Sequence, residues 1–204
     1  SYNDLIEVLS EYAKAESVRL TFPEGTTAIA MARKMEDAGL CTAEEFLKEA
    51  NTGDFSEYKF WQYVPDDKDA PDRFLKCEGY LFPDTYEFFV GENASSVVKK
   101  FLSNGDSKIS EKDRAQAKKL GYSMYEVMTI ASIIQKEAGS EKQMKTISSV
   151  IHNRLSDKTN FPSLGCQSTS DYITNFVKPN LSSTSAHTAD YYMEYYNTQT
   201  TSTV

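Results

Sequence analysis

Cysteine and histidine are scarce in this chain of 204 residues. The three cysteines, Cys41, Cys77 and Cys166, are odd in number and far apart. That spacing excludes a disulfide framework and a thiolate zinc site, which needs closely spaced pairs. Two histidines, His152 and His187, are too few for a His-rich metal centre. The reading is therefore of a protein with no metal and no cofactor. A Ser-His-Asp triad is allowed by count, but no Gly-x-Ser-x-Gly elbow presents a nucleophile. No stretch reaches the roughly 18 uninterrupted apolar residues of a membrane span. No basic-then-apolar leader opens the chain at Ser1. As it stands the chain reads as soluble, and an anchor or leader removed from it would leave no trace. Basic residues are outnumbered, 22 against 30 acidic, for a net charge of −8 and a pI near 4.9. That field repels a phosphate backbone, and no Lys/Arg-dense run offers a local exception, so no nucleic-acid partner is expected.

What the chain has is apolar and aromatic mass: 40% hydrophobic residues, with 13 Tyr, 11 Phe and one Trp. Such a chain buries a core, and its length suits one or two domains. The fold class reads as α+β. Asn3 is placed to cap a helix running to about Lys14. Val18-Arg19-Leu20-Thr21-Phe22 alternates like a half-buried strand. After the Pro23-Glu24-Gly25 turn, Thr26 or Thr27 caps a helix that stops at Gly39, and Thr42 with Glu45 forms a capping box for the next. The charged, proline-bounded run Asp66–Asp72 reads as an exposed loop. It sets a boundary near residue 75, dividing the chain into 1–75, an N-terminal α/β portion, and 76–204. Helices follow over about 94–104 and 110–120. Ser123 with Glu126 opens another that Gly139 closes, and Ser140 with Gln143 opens one reaching about Leu155. Ten of the last 24 residues are Ser or Thr. That composition leaves strand-and-loop structure and disorder equally open.

One carboxylate stands out. On a wheel of the helix after Ser123, Val127, Ala131, Ile134 and Ala138 centre the apolar arc, and Glu137 falls between Ile130 and Ile133. Desolvation and the nearby negative end of the helix dipole would both favour the protonated form that a general acid needs. Alternatively Glu137 sits at the rim of the arc, paired with Lys142 or a loop donor. Gln135, directed towards Met124 and Met128, can be neither acid nor base and reads as a partly buried structural amide.

The densest aromatic segment is Glu78-Gly79-Tyr80-Leu81-Phe82-Pro83-Asp84-Thr85-Tyr86-Glu87-Phe88. At the period of a strand, Tyr80, Phe82, Tyr86 and Phe88 share one face. Flanked by Glu78, Asp84 and Glu87, that face would make a wall for sugar rings. Taken by itself the segment reads rather as plain hydrophobic core, with Pro83-Asp84-Thr85 as a turn. Asn153 and Arg154 offer donors at a helix end, where an arginine also simply compensates the dipole. Gln167 opens a polar stretch without metal-like spacing.

These segments together resemble the endolytic murein transglycosylases (MltG, or YceG-like, proteins). The resemblance rests on Glu78–Tyr86, on Ile130-Ala131-Ser132-Ile133-Ile134-Gln135-Lys136-Glu137, on Ser148–Leu155 and on Phe22-Pro23-Glu24-Gly25-Thr26. It implies a bacterial enzyme that cuts peptidoglycan glycan strands internally, at the extracytoplasmic face of the cell membrane. Such enzymes are held there by an N-terminal transmembrane helix that is not in this chain. It further implies that 1–75 carries the remainder of a LysM-like region and 76–204 a helix-rich catalytic domain, with cell-wall synthesis proteins as further partners. The family's catalytic Glu, the second acid of a Glu-Lys-Glu motif, falls on Glu137, and the first acid becomes Gln135. Substrate contacts are implied at Glu78, Tyr80, Phe82, Asp84, Tyr86, Gln135, Asn153, Arg154 and Gln167. Two departures are plain. Gln167-Ser168-Thr169-Ser170-Asp171 stands where the family has Gln-Ser-Asp-Pro-Thr, and no Gly-Leu-Pro follows Tyr196-Asn197-Thr198.

The implied reaction forms a 1,6-anhydro-N-acetylmuramic acid end without water. One carboxyl protonates the leaving oxygen and then takes the proton of the sugar's own C6 hydroxyl, so a second carboxylate is unnecessary. A lysozyme-type hydrolase, a non-catalytic peptidoglycan-binding module and a scaffold for wall-synthesis proteins are the alternatives.

Overall fold

Strand β1 (Ser17–Thr21) finds its partner far along the chain. It pairs antiparallel with β2 (Thr85–Phe89), Ser17 opposite Phe89 and Thr21 opposite Thr85. The computed structural model describes residues 1–12, 16–65, 73–183, 185 and 187–200, with no account of side chains 9–12. The expected loop over Asp66–Asp72 lies outside the described residues. Before the sheet comes α1 (Tyr2–Tyr12), whose Tyr2, Leu5, Ile6 and Val8 side chains are exposed.

Between the strands run α2 (Ala28–Asp37) and α3 (Ala43–Thr52). Thr27 caps α2 by accepting from the Ala30 N–H, and the Thr42/Glu45 box opens α3, both as the residue types dictate. A 3-10 turn over Lys59–Tyr63 sets Phe60 inward. After β2, α4 (Ala94–Lys108) buries Val97, Val98, Phe101 and Leu102. It runs four residues beyond the expected end at 104, through Gly105. A Cβ at Gly105 would stand 3.1 Å from the Tyr80 carbonyl oxygen, so glycine lets α4 approach that backbone without pushing it back by a few tenths of an ångström.

These elements enclose the largest core cluster, which runs from Phe22 to Leu102 with Phe46, Phe55, Phe60 and Phe88 at its centre. Both sheet and core therefore cross residue 75. Cys77 lies within the cluster, its thiol pushed up to about 12 by burial.

The second half is helical. The exposed α5 (Glu111–Leu120) is followed by α6 (Met124–Glu137) and α7 (Glu141–Ser156). The expected stop at Gly139 is corrected. Ala138 is the residue that leaves the helix, in an extended conformation, and Gly139 has no left-handed φ. The Gly139 N–H instead donates to Gln143 Oε1 at 2.9 Å, while Ser140 makes no side-chain cap. Of the Ser/Thr-rich tail, only Ala189–Tyr195 is helical among the described residues, and the segment before it is helical as well. Residues 167–180 form a continuous helical run of α8 (Gln167–Tyr172), a wider π turn over Ile173–Val177 and a 3-10 turn over Lys178–Asn180. The last helix is α9 (Ala189–Tyr195). Two smaller clusters hold this half: Ile130, Ile133, Ile151, Leu164 and Cys166 in one, Ile173, Val177 and Tyr192 in the other. Among the described residues the fold is α+β, helix-rich with a two-stranded sheet. Among the described residues no helix is long and apolar enough to cross a membrane.

Candidate active site

The face that α6 buries is displaced from the wheel's expected centre. Ile130 and Ile133 are buried, Val127 and Ile134 half-buried, and Ala131 is exposed. The helix is covered from the side of α7 and the Leu164–Cys166 segment, so burial follows those neighbours and not the mean of the apolar residues. The shift places Glu137 in line with the buried pair, at the spacing 130, 133, 137 of one helix face.

Glu137 is the last helical residue of α6 and is half-buried. Its Oε1 accepts the backbone N–H of Ser168 at 2.9 Å. The donor is the second residue of α8 and so a helical residue, not the loop donor or Lys142 of the alternative reading. Beside it lies Cys166, its thiol raised by burial first and then by the charge of Glu137. Ser168 Oγ is enclosed and has no hydrogen-bond partner among the described residues.

The segment that delivers Ser168 is pinned by Thr198, one of two buried polar side chains among the described residues. Thr198 Oγ1 receives the Cys166 N–H at 3.1 Å, donates to the Cys166 carbonyl at 2.9 Å and pairs with Thr169 Oγ1 at 3.0 Å. Its carbonyl takes the Gly165 N–H at 2.7 Å. Arg154 Nη1 adds a hydrogen bond to the Leu164 carbonyl. A hydrogen bond of this kind contributes about 0.5–1.5 kcal/mol net, but an unmade one in a buried site costs more. The network is therefore specific as well as stabilising.

The remaining expected residues separate into groups. Glu78 lies between the two halves: the Ala28 N–H, at the start of α2, donates to both its oxygens at 3.2 Å, and the Tyr172 hydroxyl donates to Oε2 at 3.1 Å. Burial pushes its carboxyl upward, opposed by these donors and by the Lys136 ammonium acting through space. Gln135 is half-buried, its Cγ 3.4 Å from where a Cβ on Gly25 would stand. Asn153 is exposed at the end of α7, and the exposed Gln167 donates to Asp171 Oδ1 at 3.0 Å.

The aromatic segment builds the core reading. Tyr80 is 6% exposed and stacks on Phe60, and Tyr86 and Phe88 face inward from β2 against Phe101. The expected extended stretch also shortens, because residues 76–80 turn and only Thr85–Phe89 is strand. The wall of rings from Tyr80 to Phe88 is thus corrected: the rings that alternate inward are those the core takes. Phe82 is half-buried beneath the Lys108 ammonium, and Asp84 accepts from Asn104, which also donates to the Tyr86 hydroxyl at 2.9 Å. A surface depression of about 700 Å³ along α4 takes Tyr86 from the expected set, but its lysines are already paired, Lys99 with Glu57 and Lys100 with Glu92.

Ser168, Tyr172 and Thr198 escaped the sequence reading as site residues. Their contacts run between positions 29 or more apart, which no local period reports. The Tyr196-Asn197-Thr198 motif was the available signal for the last of them. Among the described residues no three His, Cys, Asp or Glu side chains gather as metal ligands.

The sequence profile described as the YceG-like family matches residues 1–203. The chain belongs to the YceG-like family. This YceG-like chain is 30% identical over 147 residues to the endolytic murein transglycosylase of Streptococcus pneumoniae strain D39, covering 67% of itself and 26% of that protein. With the endolytic murein transglycosylase of Bacillus subtilis strain 168 it shares 25% identity over 158 residues, 76% of this chain and 44% of the other. It therefore spans less than half the length of these curated relatives. A crystal structure of a yceG-like protein from Listeria monocytogenes superposes with a TM-score of 0.68 at 25% identity, over 91% of this chain and 60% of that one.

Proposed function

We propose that this YceG-like chain carries the catalytic part of a peptidoglycan lytic transglycosylase, with Glu137 as its acid and base. The observation that carries the reading is Glu137 itself: a carboxyl at the end of the buried face of α6, held through one oxygen by the Ser168 N–H. The names of the pneumococcal and Bacillus relatives support the substrate.

In this reading Glu137 protonates the glycosidic oxygen between N-acetylmuramic acid and N-acetylglucosamine. As the bond breaks, positive charge builds at the muramyl anomeric carbon. The carboxylate then removes the proton of the C6 hydroxyl, whose oxygen closes the 1,6-anhydro ring. The proton given is recovered, and water is not consumed. The Ser168 N–H fixes the orientation of the carboxyl through both halves of the cycle without itself exchanging protons. Gln135, two residues before the acid, and Gln167, adjoining Ser168, flank it as glycan contacts. The LysM-like portion corresponds to the β1–α2–α3 unit, which β2 closes from beyond residue 75. The place of action is the extracytoplasmic face of a bacterial membrane, reached through an N-terminal anchor.

Digestion of purified peptidoglycan sacculi tests this directly. Wild type should release fragments whose muramic ends are lighter by one water than hydrolytic ends, and Glu137→Gln should lower the rate by about 10²–10⁴-fold. Ends carrying that water would make the protein a hydrolase. Tight binding with no new ends would make it a glycan-binding module.

A further inference from the structure

Glu78 was expected to meet substrate, yet both its oxygens are engaged inside the protein. Its partners trace a closed path around the candidate acid. The Ala28 N–H, one residue after the Thr27 cap, holds Glu78 to the start of α2. The Tyr172 hydroxyl, at the end of α8, holds the same carboxylate from the other side at 3.1 Å. Four residues before Tyr172, on the same short helix, Ser168 donates its N–H to Glu137. The path closes through the turn preceding α2. Gly25 has φ +76°, and a Cβ there would lie 3.4 Å from Gln135 Cγ and 3.5 Å from Lys136 Nζ, on the last turn of α6. Lys136 also lies over the Phe176 ring at 6.0 Å, and Phe176 stacks on Tyr172 at 6.1 Å.

We propose that Glu78 and Tyr172 are positioning residues that clamp the 167–180 helical run to the start of α2 and thereby aim the Ser168 N–H at Oε1 of Glu137. The proposal rests on the reading of Glu137 as the catalytic acid. It assigns Glu78 no contact with the glycan.

The physical argument is one of leverage and of enclosure. A six-residue α8 followed by a π turn is not rigid by its own hydrogen bonds, because short helices are marginal and wide turns interrupt the ladder. Its position against α6 must come from tertiary contacts at both ends. Thr198 supplies one end, at Cys166. Tyr172 supplies the other, and its acceptor is a half-buried carboxylate that the Ala28 N–H holds in place from the opposite side. A shift of α8 by a fraction of an ångström would lengthen the Ser168 bond and release the acid from its orientation, an effect that falls on catalysis before it falls on binding.

Backbone amide exchange at Ser168, measured beside kcat and KM on peptidoglycan strands, tests the clamp. Tyr172→Phe deletes one hydroxyl and keeps the ring. It should speed exchange of the Ser168 amide by about tenfold and lower kcat by about tenfold, with KM changed by less than about twofold. Glu78→Gln, which keeps acceptor and shape, should retain wild-type protection at Ser168, and Glu78→Ala should lose it. Wild-type exchange and wild-type kcat in Tyr172→Phe would overturn the proposal. So would a rise in KM alone, which would mark these residues as direct substrate contacts. If Tyr172→Phe fails to fold, the contrast between Glu78→Gln and Glu78→Ala decides. If wild type leaves sacculi uncut, the enzymatic reading falls, while the exchange measurement still decides whether the clamp exists.

Discussion

The core around Phe101 and the site around Glu137 are assembled from different materials. Phe101 is fully buried and meets Phe22, Phe46, Tyr86 and Phe88, with ring centroids 4.5–5.9 Å apart. Rings at such distances attract over broad faces and tolerate small displacements. Glu137 is held by a backbone N–H, and the segment that brings it is held by one threonine hydroxyl, one arginine and one tyrosine. Hydrogen bonds weaken steeply with distance and angle, so this half is less forgiving of displacement while burying less apolar surface. The division suits the proposed catalyst: a thick apolar mass supplies stability, and directional contacts are concentrated where the proposed acid would have to point.

The largest expected effect breaks the apolar side. Phe101→Ala should cost about 3–5 kcal/mol in urea unfolding, because the four rings around it cannot close over the cavity without losing their mutual geometry. A loss below about 1 kcal/mol would show that the aromatic cluster collapses freely and does not anchor the fold.

The same contrast explains what was legible in the sequence. Capping chemistry is local, so Thr27, Thr42 with Glu45 and Ser123 with Glu126 mark helix starts at the positions observed. The strand at Val18–Thr21 and the carboxylate at the end of the Ile130–Ile133 face follow from period alone. Burial of Tyr86 and Phe88 was readable too, but period cannot say whether a row of rings faces protein or ligand; α4, packed behind the sheet, makes that decision. The helical run over 167–180 and the short α9 were hidden because Ser and Thr carry no strong apolar period, and both pack around Ile173, Val177 and Tyr192. The Glu78–Tyr172 and Ser168–Glu137 contacts join residues 94 and 31 positions apart. Nothing local in either segment announces them.

A smaller effect breaks the polar side at a single backbone donor. Ser168→Pro removes the N–H that Glu137 accepts, at a first-turn helical position where proline's ring is tolerated. Turnover on peptidoglycan should fall about ten- to a hundredfold, with thermal stability lowered far less than by Phe101→Ala. Ser168→Ala keeps the N–H and deletes a hydroxyl that has no partner among the described residues. It should leave turnover within about threefold of wild type. Equal losses in the two variants would move the function from the amide to the hydroxyl.

The smallest effect sharpens the comparison at Glu78, where an ionisable group joins the two halves. Burial holds its carboxyl above the usual 4.5, with the Ala28 N–H, the Tyr172 hydroxyl and the Lys136 ammonium opposing that shift. The folded state therefore binds this proton more tightly than the unfolded chain does. The stability so contributed is fully present below the ordinary value and is lost as pH rises through the raised, folded one. Glu78→Gln keeps the shape and cannot ionise. The difference in unfolding free energy, wild type minus variant, should then fall with rising pH across that window and be flat above it, measured by urea titrations at successive pH values. A difference that instead grows with pH would mean that the donors outweigh burial and that Glu78 is held as a stabilised anion. In that case the joint between the halves would be an electrostatic one, and added salt would weaken it while leaving the Phe101 core untouched.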